Sequence, residues 1–146
     1  MERKNFLRSI GAGAAFALTF PCLQGCSKDG TNGNIEEDPT GVDFTIDLTS
    51  QEAQALMANG GFILKNLVVV AKNLEGEYIA ASQMCSHQSY DLVRFVNQDG
   101  GIFYCGEHGS RFAQDGTPLN QVDSNPAKPI KVYNTELNGS ILRVFE

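Results

Sequence analysis

The chain has 146 residues but only four cysteines and two histidines, and both histidines follow closely on a cysteine. The two segments are Cys85-Ser86-His87-Gln88-Ser89-Tyr90 and Cys105-Gly106-Glu107-His108-Gly109-Ser110-Arg111-Phe112. Each supplies one thiolate and one imidazole, which are ligands for transition metals rather than for magnesium or calcium. An extended Cys-x-His points both side chains the same way, and Cys-x-x-His across a glycine-containing turn can do likewise. Gly106 and Gly109 are expected to bring the backbone close to a bound group and, at positive φ, to turn N–H groups toward it. A bulky residue at either place should do harm.

Two metal arrangements fit these ligands. Two Cys and two His could hold one zinc ion and stabilise a binding module. The usual zinc site, however, pairs Cys with Cys and His with His, whereas each segment here mixes the types. A dinuclear iron cluster accounts for the mixing, because two facing loops can place both sulfurs on one iron and both ring nitrogens on the other. Metal analysis separates the two: two irons and two acid-labile sulfides per chain against one zinc.

The pattern Cys-x-His, seventeen intervening residues, then Cys-x-x-His-Gly resembles the two cluster-binding loops of Rieske [2Fe-2S] proteins. Asn125-Pro126-Ala127 stands where that family carries a proline-containing third loop over the cluster. The resemblance implies a [2Fe-2S] cluster with Cys85 and Cys105 on one iron and His87 and His108 on the other through Nδ1. It further implies that Gly106, Gly109, Ser110 and Pro126 surround it. Two His in place of two thiolates remove negative charge, so such a cluster accepts an electron more readily than an all-Cys one. The outer ring nitrogens are expected to face solvent, as the exit for electrons and a site of redox-linked protonation.

Departures from the family pattern are informative. Rieske subunits of cytochrome bc complexes carry a further Cys in each loop, joined as a disulfide, and Tyr90 and Glu107 hold those places here. Those subunits also use a Ser and a Tyr hydroxyl to hydrogen-bond the sulfurs. Ser110 matches the first, but Phe112 stands at the Tyr position. The expectation is an intermediate potential, below those subunits but within the broad Rieske range of roughly −150 to +300 mV.

Short strands must position the two segments. Residues 42–48, 67–71, 77–83, 92–96, 101–104, 130–134 and 140–145 each read as strands, many with β-branched or aromatic residues. Turn-forming clusters separate them, among them Asn73-Leu74-Glu75-Gly76, 97–101 and Asn138-Gly139. Residues 50–58 read as one short helix, capped by Ser50, with Ala53, Leu56 and Met57 as its apolar face and Gly60-Gly61 as its stop. The fold class is therefore all-β, a Rieske-like antiparallel sandwich or small barrel with a cluster-binding subdomain of two loops. Asp115-Gly116-Thr117-Pro118 reads as a turn. Phe103 and Tyr104 read as packing residues, and Arg111 as a solvated loop charge.

The N-terminal third reads differently. A basic start with Arg3, Lys4 and Arg8, an apolar run over 10–20 and a break at Pro21 give the three-part layout of a signal peptide. Eleven residues rise only about 16 Å as a helix, short of a roughly 30 Å hydrocarbon core. Leu23-Gln24-Gly25-Cys26 resembles the bacterial lipobox, which implies acylation of Cys26, and residues 3–7 resemble a twin-arginine export signal with Lys4 for the second Arg. The expected organisation is a lipoprotein-type signal over 1–25, a flexible tether over 26–41 rich in Gly, Asn and acid, and the cluster domain over 42–146.

Net charge is −6, and the first 25 residues carry a local +2, which leaves −8 on the rest. So acidic a body argues against nucleic acid as partner. The chain reads as an electron-transfer protein rather than a stand-alone enzyme: an exported, membrane-tethered carrier of the bacterial periplasm or cell envelope, or the small subunit of a larger oxidoreductase. A quinol-oxidising bc-type subunit is the alternative, disfavoured by the missing disulfide. A ring-hydroxylating catalytic subunit would need a second iron on two further His and a carboxylate, and no His is left for it.

Overall fold

The computed structural model describes residues 38–146. The expected signal peptide, most of the tether and Cys26 lie outside the described residues. Among the described residues nine strands form two antiparallel sheets. They are β1 (Asp43–Asp47), β2 (Phe62–Lys65), β3 (Val68–Lys72), β4 (Tyr78–Ser82), β5 (Val93–Val96), β6 (Ile102–Cys105), β7 (Arg111–Phe112), β8 (Val132–Asn138) and β9 (Ile141–Phe145). The larger sheet runs β1-β9-β8-β4-β3-β2 and curls as a half-barrel, and β5-β6-β7 form the smaller one. The all-β reading holds.

Strand β3 explains how the two sheets become one body. Val68 to Ala71 are all fully buried, an unbroken apolar run of the kind a strand needs when both of its faces are covered. Side chains alternate across a strand, so Val68 and Val70 enter a core with Ile46, Leu56, Leu142 and Val144. Val69 and Ala71 enter a second core with Val93, Phe95, Phe103, Phe112 and Ile130. Cys85 and Cys105 belong to that second core.

Several sequence expectations need correction. Strands β2 and β7 were not anticipated. Leu67 lies in a turn and not in a strand: Asn66 and Leu67 both have positive φ (53° and 60°) and link Lys65 to its partner Val68, as a two-residue turn between twisted strands demands. The last hairpin is shifted, with β8 running Val132–Asn138 in place of 130–134. The short helix is a 3-10 helix, Gln51–Met57, and Ser50 does not cap it through its side chain. Its hydroxyl instead donates to the Asp47 carbonyl at 2.6 Å. Ala53 and Leu56 are buried as expected, but Met57 is 68% exposed. Tighter 3-10 winding carries Met57 off the face that a wider helix would have given it. The packed body also includes residues assigned from sequence to the tether, because the Pro39 carbonyl accepts from Lys131 Nζ at 3.1 Å and from the Tyr133 hydroxyl at 2.9 Å.

Candidate metal centre

The first loop leaves β4 through Gln83 and Met84 and returns into β5; the second joins β6 to β7. The two are built alike. Cys85 N–H donates to the Tyr90 carbonyl at 2.8 Å, and Cys105 N–H donates to the Ser110 carbonyl at 2.9 Å. Each loop is thus closed five residues on by a backbone bond, with its cysteine at the base. The pairing of Val93 with Cys105 and the bond from Gly106 N–H to the Leu92 carbonyl at 3.1 Å hold the loops side by side.

Both cysteines are free thiols and buried, at 2% and 0% exposure. They contact each other, and the pair releases its two protons unequally. Cys85 is pushed down to about 5, first by the hydrogen bond from Cys105, against the opposing effect of burial, then by the His87 N–H, the Ser110 hydroxyl and the Gln88 N–H. Cys105 is pushed up by the same contact and by burial. The contact thus favours one thiolate, on Cys85, hydrogen-bonded by the Cys105 thiol.

The imidazoles stand beside them. The His87 and His108 ring centroids are 5.0 Å apart at 82°, and the Tyr90 ring lies 5.7 Å from His108. His87 Nε2 lies 2.8 Å from Asp123 Oδ2. A carboxylate can only accept, so Nε2 carries a hydrogen, and in the neutral ring that leaves the lone pair on Nδ1. That Nδ1 is buried and has no hydrogen-bond partner. Solvent exposure of both outer nitrogens was expected; it holds for His108, which is exposed, and fails for His87, whose side chain is 13% exposed under Asp123. The same contact, followed by the Asn125 N–H, holds the Asp123 carboxyl below the ordinary carboxylate range.

The third loop closes one side. Ser86 Oγ donates to the Lys128 carbonyl at 2.9 Å, and Pro126, Ala127, Asp123, Ser110 and His87 help line a cavity of about 110 Å³. Ser110 Oγ is buried with no hydrogen bond of ordinary geometry, yet near enough to help lower the Cys85 thiol. Phe112 is buried among Phe103 and Val93 and brings no hydroxyl. Gly109 has φ +78°, as expected, but Gly106 does not have positive φ, and a Cβ there would meet only the Leu92 carbonyl at 3.9 Å. Its glycine is not required by backbone shape. Tyr90 and Glu107 are exposed, Phe103 is in the core, and Arg111 pairs with Asp99.

Two contacting thiols and a buried ring nitrogen with no hydrogen-bond partner suit a dinuclear iron-sulfur cluster. An unpartnered hydroxyl beside a sulfur also fits, so the residues present suit the group. Among the described residues no three His, Cys, Asp or Glu side chains converge on one ion position. Asp123 is the residue that sequence reasoning missed; its only local signal was the turn-forming run Asp123-Ser124-Asn125-Pro126.

Residues 42–134 match the family described as Rieske [2Fe-2S] domain. No curated protein matches the chain. Among solved structures it is similar to the ferredoxin of carbazole 1,9a-dioxygenase from Nocardioides aromaticivorans IC177, at 21% identity over 60% of this chain and 86% of that one, TM-score 0.49. It is similar to the plasma membrane Rieske protein PetC3 from Synechocystis PCC 6803, at 26% identity over 59% of this chain and 85% of that one, TM-score 0.45. It is also similar to the terminal oxygenase of carbazole 1,9a-dioxygenase from N. aromaticivorans IC177, at 22% identity over 60% of this chain but 27% of that one, TM-score 0.50. This last likeness is one of fold.

Proposed function

The chain belongs to the Rieske [2Fe-2S] domain family, which implies a [2Fe-2S] cluster and electron transfer; from that premise we propose that Cys85 and Cys105 hold one iron and His87 and His108 the other. The observation that carries the assignment is the buried His87 Nδ1, which has no hydrogen-bond partner, beside the contacting thiols of Cys85 and Cys105. When bound, such a cluster carries one electron at a time. The protein's own part is to bury the sulfurs, fix the imidazoles and close Pro126 and Ala127 over one side.

The cellular form follows from the N-terminal pattern. The protein is an exported carrier, or the small subunit of a larger oxidoreductase, tethered to an envelope membrane through acylated Cys26 and meeting a redox partner. Two or more acyl chains give stable anchoring to an otherwise soluble body. No helix among the described residues is long and apolar enough to cross a membrane. Folded export suits a protein that takes up its cluster before crossing.

The deciding experiment is an electron paramagnetic resonance spectrum of the dithionite-reduced protein together with iron and sulfide analysis. Mixed His and Cys ligation gives an average g value below that of all-Cys clusters. An all-Cys-type spectrum, or one zinc and no sulfide, overturns the ligand assignment. Mass analysis of the mature N-terminus tests the anchor: a diacylglyceryl mass on Cys26 is expected, and an unmodified mature chain rejects it.

A further inference from the structure

The two histidines are not equivalent. His87 Nε2 is tied to Asp123, while His108 lies exposed with Tyr90 against its ring. Asp123 is itself held in place. Its Oδ1 accepts from the Asn125 N–H at 2.7 Å and its Oδ2 from Asn125 Nδ2 at 3.1 Å. Its carbonyl accepts from Gln121 Nε2 at 2.8 Å. A carboxylate fixed this way does three things to an imidazole: it selects the Nε2–H tautomer, sets the ring's orientation, and adds electron density to the opposite nitrogen.

We infer that Asp123 is a positioning residue that locks His87 with Nδ1 turned inward and caps its outer nitrogen, leaving His108 as the imidazole edge through which a redox partner exchanges electrons. The inference rests on the ligand assignment above. The capping contact comes from the same third loop that Ser86 Oγ ties to the first loop through the Lys128 carbonyl. A single loop therefore shields one histidine and leaves the other open. Negative charge held against an iron-bound imidazole favours the oxidised cluster, so Asp123 also keeps the potential down.

The test uses the cluster-loaded full chain and its Asp123→Asn and Asp123→Ala variants, with Glu136→Gln, on β8, as a control for net charge. Three readouts are taken at neutral pH. The reduction potential should rise in both Asp123 variants by more than in the control. Loss of the visible spectrum to an iron chelator should quicken by about tenfold in Asp123→Ala. Carbethoxylation mapped by mass spectrometry should label His108 well ahead of His87 in the wild type and reach His87 in Asp123→Ala. If Asp123→Ala fails to fold, Asp123→Asn carries the test, because its one carbonyl oxygen can keep the turn by accepting from the Asn125 N–H while the charge and the acceptor facing His87 are lost. A potential that falls, or that moves no further than in Glu136→Gln, overturns the inference, as does equal labelling of the two histidines in the wild type. A wild-type spectrum without mixed His and Cys character instead overturns the ligand assignment, so the two failures are distinguishable.

Discussion

Ser89 and Gly109 occupy the same step of two loops built alike. The N–H of each donates to the carbonyl of the cysteine four residues before it, at 2.8 Å to Cys85 and 3.1 Å to Cys105. Each takes positive φ, 50° and 78°. A glycine adopts this conformation without penalty and a serine does not. Replacing Gly109 with Ala is therefore expected to cost about 1 kcal/mol of stability and to speed cluster release, without changing the spectrum's type. Denaturant unfolding and chelator-dependent bleaching measure the two effects. A Gly109→Ala protein as stable as the wild type would show that the loop can close in another way.

Ser110 Oγ is buried and lies beside the Cys85 sulfur. Ser110→Ala should lower the reduction potential, since a hydrogen bond to a sulfur counts for more in the reduced cluster. A differential of about 1 kcal/mol corresponds to roughly 40 mV for one electron. Redox titration reads it directly, and a potential that stays put means the hydroxyl points elsewhere. The wild-type value itself is expected to be intermediate, given Phe112 in place of a hydroxyl donor; a value at the upper extreme of the Rieske range refutes that.

Gly61 sits against the 3-10 helix so closely that a Cβ would lie 1.7 Å from the Ala55 carbonyl oxygen. Backbone cannot yield as a side chain can, so Gly61→Ala should destabilise the protein by about 3 kcal/mol. The midpoint of urea unfolding should drop accordingly. Survival of the midpoint would mean that the helix is free to shift.

Acid should weaken the fold through carboxylates held below their ordinary range. Hydrogen bonds from Arg143 lower Asp43, from Thr49 lower Asp47, from Thr117 lower Asp115, and from Lys131 and the Gly41 N–H lower Glu146. A folded-state value below the unfolded one gives stability that is present above the ordinary carboxylate range, about 4, and lost as pH falls through the lowered value. Melting of wild type and Glu146→Gln should differ at neutral pH and converge in strong acid. A difference that persists below the lowered range would show that Glu146 acts through packing and not charge.

Much of the centre was legible because its ligands come in two local pairs, Cys85 with His87 and Cys105 with His108, whose spacing needs no knowledge of the fold. Asp123 was not, since it meets His87 across 36 residues and only the return of the third loop brings it there. Strand β2 was hidden because Phe62–Lys65 is short and follows two glycines that read as a stop. Asn66 and Leu67 concealed their turn by taking positive φ without glycine. Ser50 looked like a cap, but its hydroxyl found the Asp47 carbonyl first, a competition that residue type alone does not decide.

The doubly covered strand β3 has a calorimetric consequence. Its odd and even residues wall two cores, one of which contains both cysteines, so neither core can melt and leave the other intact. Heating should produce a single endotherm, with loss of the visible chromophore following the same curve as loss of secondary structure.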